Sequence, residues 1–375
     1  MSVVGTLARG LAVALALAAG AHTERATAQG TSGAPCEIAT RERVVAVGDV
    51  HGGHEALLAI LRDAQLTDRR DRWIGGRAVL VQTGDVLDRG ADSRKALDLL
   101  RRLEREAAQA GGQVHTLVGN HELMRLIGDW RYVSAGEYTA FRTATSTELR
   151  DRAWTIVQQQ ARERAGAENL PFDEPVARGQ FFERVPLGML ELNQAFSPAG
   201  EYGRWIRSRP AMVRINGIAY VHGGVSAETA PLGCAGMNAA VAKDLTAATP
   251  MSAEAGAALF SSQASGPLWY RGLAEEPEVD FAPQLDQILT TLPATAVVIG
   301  HTVTPDFRIT ARFGGRVIQV DTGMLGGDFY RGGRASALEV RGGTVTAIYR
   351  GGVRERIAAP AIERAAVGRE RLPAR

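Results

Sequence analysis

Five short apolar runs, each delivering the chain into a turn rich in glycine and metal-ligating side chains, constrain the fold of this sequence most. Val44–Val47 leads into Gly48-Asp49-Val50-His51-Gly52. Ala78–Gln82 leads into Gly84-Asp85-Val86-Leu87-Asp88-Arg89-Gly90, and Val114–Val118 into Gly119-Asn120-His121-Glu122. Met212–Val221 ends at His222-Gly223-Gly224, and Ala296–Ile299 at Gly300-His301-Thr302. Runs of this length and β-branched content read as buried strands. In layered α/β folds, ligands sit at the carboxyl ends of strands. Five such ends converging would gather two aspartates, an asparagine and several histidines.

The stretches between support the layered reading. His54–Ala64, Ser93–Ala110 and Phe281–Thr291 carry helical patterns. Ser93–Ala110 sets Leu97, Leu100 and Leu103 on one face and Arg/Glu on the other. A further strand is expected at Val317–Val320, and alternation of strands with helices argues for an α/β core. Ala335–Val340 and Thr344–Tyr349 flank Arg341-Gly342-Gly343, a hairpin signal that makes the sheet mixed. Residues 128–210 break the rhythm. They are rich in Arg, Glu and Gln, with a helical stretch at Thr147–Ala165 and breaks at Pro171, Pro175 and Pro186. We read them as a mostly helical insertion lying over the site, within a domain spanning 43–350. A tail, 351–375, is expected to fray at its end.

Residues 1–28 read as a secretory signal: a weakly positive start, the apolar run Leu11–Ala19, and small-residue cleavage sites at Ala19-Gly20-Ala21 and Ala26-Thr27-Ala28. The run falls short of the ~20 residues a membrane-spanning helix needs. The expectation is an exported protein, periplasmic or secreted, without stable membrane insertion once the signal is removed, and with an N-terminal arm at 29–42. Of the 375 residues two are cysteines, Cys36 and Cys234. Export permits a bridge between them, closing a loop of about 200 residues worth at most ~5 kcal/mol. Two free, partly buried thiols are the other reading, and the sequence leaves the choice open. Lys+Arg is 43 against 41 Asp+Glu, a net charge of +2, so nothing favours electrostatic capture of nucleic acid.

Carboxylate, amide oxygen and imidazole without thiolate suit metals of intermediate hardness, so two divalent ions are expected, with manganese favoured and iron or zinc compatible. Asp49 and His51 point the same way on an extended segment and can share one cation. Asp85 can bridge to a second, completed by Asn120, His222 and His301. Two cations ~3.5–4 Å apart clamp an in-line displacement at phosphorus and acidify the attacking water.

The ordered set GDxHG, GDxxDRG, GNHE, HGG and a late GH resembles the calcineurin-like metallophosphoesterase superfamily, and within it the phosphoprotein phosphatases. Gly52 and Gly84 are separated by 31 residues, Gly90 and Gly119 by 28, close to that family's spacing. GDVHGG, GDVLDRG, Leu268-Trp269-Tyr270-Arg271-Gly272 and the segment Trp205–Pro210 look more like the Shewanella-like phosphatases. The resemblance implies a four-layer α/β/β/α sandwich with two mixed sheets. It also implies His121 as general acid, Asp88 as the carboxylate that orients it, and Arg89, Arg271 and Arg207 as phosphate-binding arginines. His301 is followed by Thr302 and Val303, so the second late histidine of many relatives is missing, as in the phosphoprotein branch. His54 and His115 fall outside the motifs and are taken as non-ligands. Glu122 and Asp321 read equally as partners of site histidines or as ordinary turn and helix-start acids. Gly323–Gly333 lacks the spacing of a nucleotide-binding loop. The expected activity is a dinuclear-metal phosphomonoesterase acting on phosphorylated protein or a small phosphoester, phosphotyrosine before phosphoserine or phosphothreonine. A diadenosine tetraphosphate hydrolase shares the motifs and stays open, as does a non-catalytic metal- or phosphate-binding protein.

Overall fold

The computed structural model describes residues 36–362 and 364. The expected export signal, the start of the arm and the end of the tail lie outside the described residues. In chain order the strands are β1 (Glu37–Ile38), β2 (Val44–Val47), β3 (Val79–Gln82), β4 (Gln113–Thr116), β5 (Met212–Ile215), β6 (Ile218–Val221), β7 (Ala296–Ile299), β8 (Thr310–Arg312), β9 (Val317–Gln319), β10 (Ser336–Arg341), β11 (Thr344–Tyr349) and β12 (Val353–Arg356). They form two six-stranded mixed sheets, ordered β1-β5-β6-β7-β9-β8 and β12-β11-β10-β2-β3-β4.

Period-two burial explains the layering. Val44 and Ala46 of β2, Val79 and Val81 of β3, Ile218 and Tyr220 of β6, and Ala296 and Val298 of β7 share one core between the sheets. The alternate residues Ala219, Val221, Val297 and Ile299 face outward, against Met237 of helix Gly233–Ala247 and Leu285 and Ile288 of helix Glu278–Thr291. Helices His54–Asp63 and Ser93–Gln109 pack on the other sheet with Leu57, Leu61, Leu97 and Leu100 buried. A fully buried Val or Leu contributes roughly 1.5–3 kcal/mol, so these strands cannot turn over without losing both cores. The result is the expected four-layer sandwich. Parallel pairing of β2 with β3 and β3 with β4 sets three motif-bearing carboxyl ends side by side in one sheet, and β6 with β7 sets the other two side by side in the second.

Three expectations change. Met212–Val221 is not one strand but the antiparallel pair β5 and β6. Asn216 and Gly217 turn between them with φ of 52° and 81°, the primed hairpin turn that an Asn-Gly pair favours. The domain does not end at residue 350: β12 pairs with β11, and Ala359 and Ile362 are buried in the inter-sheet core. The arm enters the fold too, with β1 pairing parallel to β5. Cys36, just before β1, is disulfide-bonded to Cys234, with Cα atoms 6.0 Å apart.

Residues 133–205 form a compact unit of their own. Helices Ala135–Ala140, Ser146–Ala167, Glu174–Arg184 and Met189–Phe196 make it up, and helix Glu201–Arg207 leads out. Trp154 and Phe181 pack with ring centroids 5.5 Å apart, and Phe141, Phe196 and Tyr202 form a second aromatic cluster. Pro175 does not break this region. It sits in the first turn of Glu174–Arg184, where its missing N–H costs nothing, behind an Asp173 side chain that accepts from Val176 N at 3.1 Å.

Candidate active site

The loops after β2, β3 and β4 are tied to one another before any side chain is considered. Asp85 O accepts from Val50 N and His51 N, both at 2.9 Å, and His51 O accepts from Gly90 N at 2.9 Å. The buried Glu122 carboxylate accepts from four backbone N–H groups: Gly119, Asp85, Val86 and Leu87, at 2.8, 2.9, 2.9 and 3.3 Å. None of these bonds reaches a site histidine: the one to Gly119 N caps helix Asn120–Ile127, the helix-start reading, and the other three tie the loop after β3 to that cap. Asp49 reaches across to the other sheet, accepting from His301 N at 3.0 Å. Both approaches require glycine. A Cβ on Gly119 would strike Asp85 Oδ1, and one on Gly300 would strike Asp49 Oδ1.

Backbone strain is concentrated here. His51, Asp85, Asp88, Arg89 and His301 all have φ between 47° and 69°. Non-glycine residues held there cost of order 1–3 kcal/mol each and persist only where surrounding bonds fix them.

The side chains converge in two groups that share Asp85. In one, His51, Asp85 and His121 bring ligand atoms within 4.8 Å of one another; in the other, Asp85, His222 and His301 do the same. All are buried. Asp49 Oδ2 adds to the first group, 3.8 Å from His51 Nε2, and Asn120 Oδ1 to the second, 2.9 Å from His222 Nε2. Thus all six residues assigned as metal ligands meet. His51 Nδ1 faces the carbonyl of Leu87 and His222 Nδ1 that of Thr83, each at 2.9 Å. A carbonyl only accepts, so Nδ1 carries a proton in both rings and Nε2 is the nitrogen turned inward. His222 Nε2 faces the oxygens of Asn120 and Asp85, at 2.9 and 3.3 Å. His301 Nε2 is buried with no hydrogen-bond partner among the described residues. Converging oxygens and an orphaned imidazole nitrogen are what a divalent cation satisfies, so the donor set fits metal.

The electrostatics agree. Burial lowers the pKa of His51 to about 3 and of His301 to about 2, keeping both as neutral ligands. Burial, then Asp321 and Asp85, push the Asp49 carboxyl well above the usual range, and burial lifts Asp321 to about 6. Crowded buried carboxylates of this kind need positive charge to stay ionised.

His121 is backed differently. Its Nδ1 lies 2.7 Å from Asp88 Oδ2, and its Nε2 3.8 Å from Asp85 Oδ2 and 3.4 Å from Arg89 Nη2. Burial favours the neutral ring, but Asp85 and Asp88 outweigh it and the pKa is raised. Arg89 lies between Tyr132 and Tyr330, its guanidinium carbon 5.7 and 5.5 Å from their ring centres. Arg271 donates to His301 O and Thr302 Oγ1, at 3.2 and 2.9 Å, which sets it beside the second group. Arg207 donates to the carbonyl of Ala248 at 2.7 Å, at the end of helix Gly233–Ala247. His54 pairs with Glu55 and His115 with Gln113, and neither belongs to a ligand group.

Sequence reasoning passed over Arg125, Tyr132 and Tyr330. Arg125 is buried with Nη2 on Asp88 Oδ1. Its signal was present: it follows His121 by four residues on a helix, hence on the same face. The tyrosines had no comparable signal, since they reach Arg89 from distant loops.

The model of the calcineurin-like phosphoesterase family matches residues 42–305. The chain is 32% identical over 305 residues to Shewanella-like protein phosphatase 2 of Arabidopsis thaliana, covering 80% of this chain and 75% of that protein. It is 27% identical over 286 residues to Shewanella-like protein phosphatase 1 of Plasmodium berghei (strain Anka), covering 75% and 67%. Among solved structures, a cold-active protein tyrosine phosphatase superposes with a TM-score of 0.65 at 27% identity, covering 88% of this chain and 82% of that one. The cold-active protein tyrosine phosphatase of a psychrophile Shewanella species gives 0.64 at 27% identity, covering 86% and 82%.

Proposed function

This chain belongs to the calcineurin-like phosphoesterase family, with Shewanella-like protein phosphatases among its relatives, and from that membership we propose a dinuclear-metal phosphatase that prefers phosphotyrosyl substrates. Phosphatase activity, dependence on divalent metal and a phosphorylated substrate follow from the family. The observation that carries the dinuclear reading is the pair of groups sharing Asp85, in the first of which His121 is set apart by the Asp88 carboxylate at its Nδ1.

In this reading Asp49, His51 and Asp85 hold one cation, and Asp85, Asn120, His222 and His301 the other. Bound cations supply the charge that stabilises the phosphoryl oxygens and lowers the pKa of water. The chain does the rest. Arg89, held between two tyrosine rings, grips phosphate oxygens, and Arg271 is its counterpart beside His301. Arg207 is kept as a third candidate, with its hydrogen bond to Ala248 O competing for the guanidinium. Asp88 holds His121 so that its Nε2–H faces the bridging region and protonates the leaving oxygen as the P–O bond breaks. Manganese is the metal we favour, with iron or zinc compatible with the same donors.

Two observations support the tyrosine preference: the likeness to a cold-active protein tyrosine phosphatase, and the aromatic walls Tyr132 and Tyr330 beside Arg89. An aryl phosphate can stack where an alkyl phosphate cannot. Comparing kcat/KM for a phosphotyrosine peptide and its phosphoserine twin on Mn²⁺-loaded enzyme tests this. A tenfold or greater tyrosine preference is expected from ~1.4 kcal/mol of stacking. Equal rates would remove the preference and leave the metal chemistry standing. Export to the periplasm or beyond belongs to the same proposal. It is supported by the apolar run at 11–19 and by a disulfide of a kind that persists in oxidising compartments. Recovery of the native protein with an intact Met1 in the cytosolic fraction would overturn it.

A further inference from the structure

We propose that Arg125 is a positioning residue for proton delivery, acting on His121 through Asp88. The inference rests on His121 being the general acid and adds a residue that the motifs do not contain.

Helix Asn120–Ile127 begins directly after Gly119, so His121 and Arg125 stand one turn apart on one face. Both reach the same carboxylate. His121 Nδ1 takes Asp88 Oδ2 at 2.7 Å, and Arg125 Nη2 takes Asp88 Oδ1. The Asp88 side chain is 0% exposed and that of Arg125 1%. A buried carboxylate engaged at one oxygen alone can swing about its terminal torsion. Engaged at both, it presents a fixed acceptor to the imidazole. Regular structure does not fix Asp88, whose φ is 69° in the loop after β3. Arg125 is itself braced, its guanidinium carbon 5.5 Å from the centre of the Trp130 ring. The clamp therefore runs Trp130, Arg125, Asp88, His121, and it ends with His121 Nε2 aimed at the reacting region.

The consequence is selective. Loosening Asp88 leaves the ligand set untouched but misaims the proton. The penalty then scales with the need of the leaving group for that proton. An alkoxide needs it, whereas a dinitrophenolate departs without it.

The test uses the full chain loaded with Mn²⁺, with dinitrophenyl phosphate and an alkyl phosphomonoester as paired substrates. His121→Ala should lose about 10²–10³-fold more on the alkyl ester than on the dinitrophenyl ester. Arg125→Met should lose about 10–100-fold on the alkyl ester and under about threefold on the dinitrophenyl ester, with metal content unchanged. Arg125→Lys keeps the charge as a single point donor and should recover part of the loss. Equal losses on both esters, or none, would reduce Arg125 to a structural ion pair and overturn the proposal. If His121→Ala shows no leaving-group dependence, the acid assignment falls, and the role of Arg125 with it. If His121→Ala behaves as expected and Arg125→Met does not, only the clamp falls. Should Arg125→Met fail to fold, Arg125→Lys carries the comparison: a loss confined to the alkyl ester supports the clamp, and a uniform or absent loss overturns it.

Discussion

The two ligand groups meet at Asp85 and use the same residue types, yet they are wired differently. Behind His51 and His222 stands a backbone carbonyl, from Leu87 and Thr83. Behind His121 stands a carboxylate, Asp88, itself paired with Arg125. A carbonyl accepts the Nδ1 proton without adding a charge, which suits a ring whose Nε2 is to bind metal. A carboxylate stabilises the imidazolium, which suits an acid. One side chain is thus given two jobs by the acceptor at its Nδ1. In the proposed mechanism the group of Asp85, His222 and His301 only holds metal, whereas His121 gives the other group a transferable proton.

Removing the shared residue should break both groups at once. Asp85→Ala is expected to lose bound metal from both sites and to lower kcat/KM at least about a thousandfold, from the several kcal/mol that metal charge supplies. Elemental analysis after gel filtration checks it. Retention of two equivalents would mean that Asp85 does not bridge.

Separating the groups comes next. His301→Ala should retain one equivalent of metal and lose at least about 100-fold in activity, since its nitrogen has no other partner among the described residues to leave unsatisfied. His121→Ala should retain both equivalents and lose about 10²–10³-fold in kcat on a poor leaving group. If both variants lost metal alike, the distinction between holder and donor would collapse.

How far the sequence carried this site depends on whether a contact is local. The strand-end motifs anticipate that the six residues proposed as ligands come together, because a strand followed by a glycine turn fixes position within a few residues. The layered α/β core was legible from apolar runs alternating with helices, whereas the four-layer sandwich came with the family resemblance. Met212–Val221 reads as one run, although the Asn216-Gly217 pair inside it carries the hairpin signal that the structure obeys. Contacts that depend on tertiary pairing were not readable. Glu122 gathers four N–H groups from two loops, and Arg89 lies between tyrosines 43 and 241 residues further along the chain. Nor does composition announce that five site residues adopt positive φ. β12 was lost to an Arg-rich reading of the tail, although Val353–Arg356 pairs along β11 and Ile362 closes the core behind it.

A smaller effect is expected at Glu122, which supports both groups without touching substrate. Glu122→Gln replaces one accepting oxygen by an amide nitrogen that faces backbone donors. Metal affinity should weaken about 10–100-fold while saturating metal restores most of the rate. Titration of activity against Mn²⁺ separates this from a lost catalytic group, because a shortfall that persists at saturating metal would assign Glu122 a part in the chemistry itself.

The smallest effect on turnover should come from the disulfide, which lies wholly on the side of the sheet carrying His222 and His301. It joins the start of β1 to helix Gly233–Ala247 across a separation of 198 residues. Closing so long a loop restricts the unfolded chain by at most about 5 kcal/mol in the chain-entropy model. Cys36 is 13 residues before Asp49 and Cys234 is 12 after His222, and neither cysteine belongs to a ligand group. Paired Cys36→Ser and Cys234→Ser substitution should therefore lower Tm by roughly 5 °C or more while leaving kcat/KM within about twofold at temperatures where the protein stays folded. A fall in turnover with loss of one metal equivalent would show instead that the bridge braces the loop after β6. The two groups would then differ in mechanical support as well as in protonation.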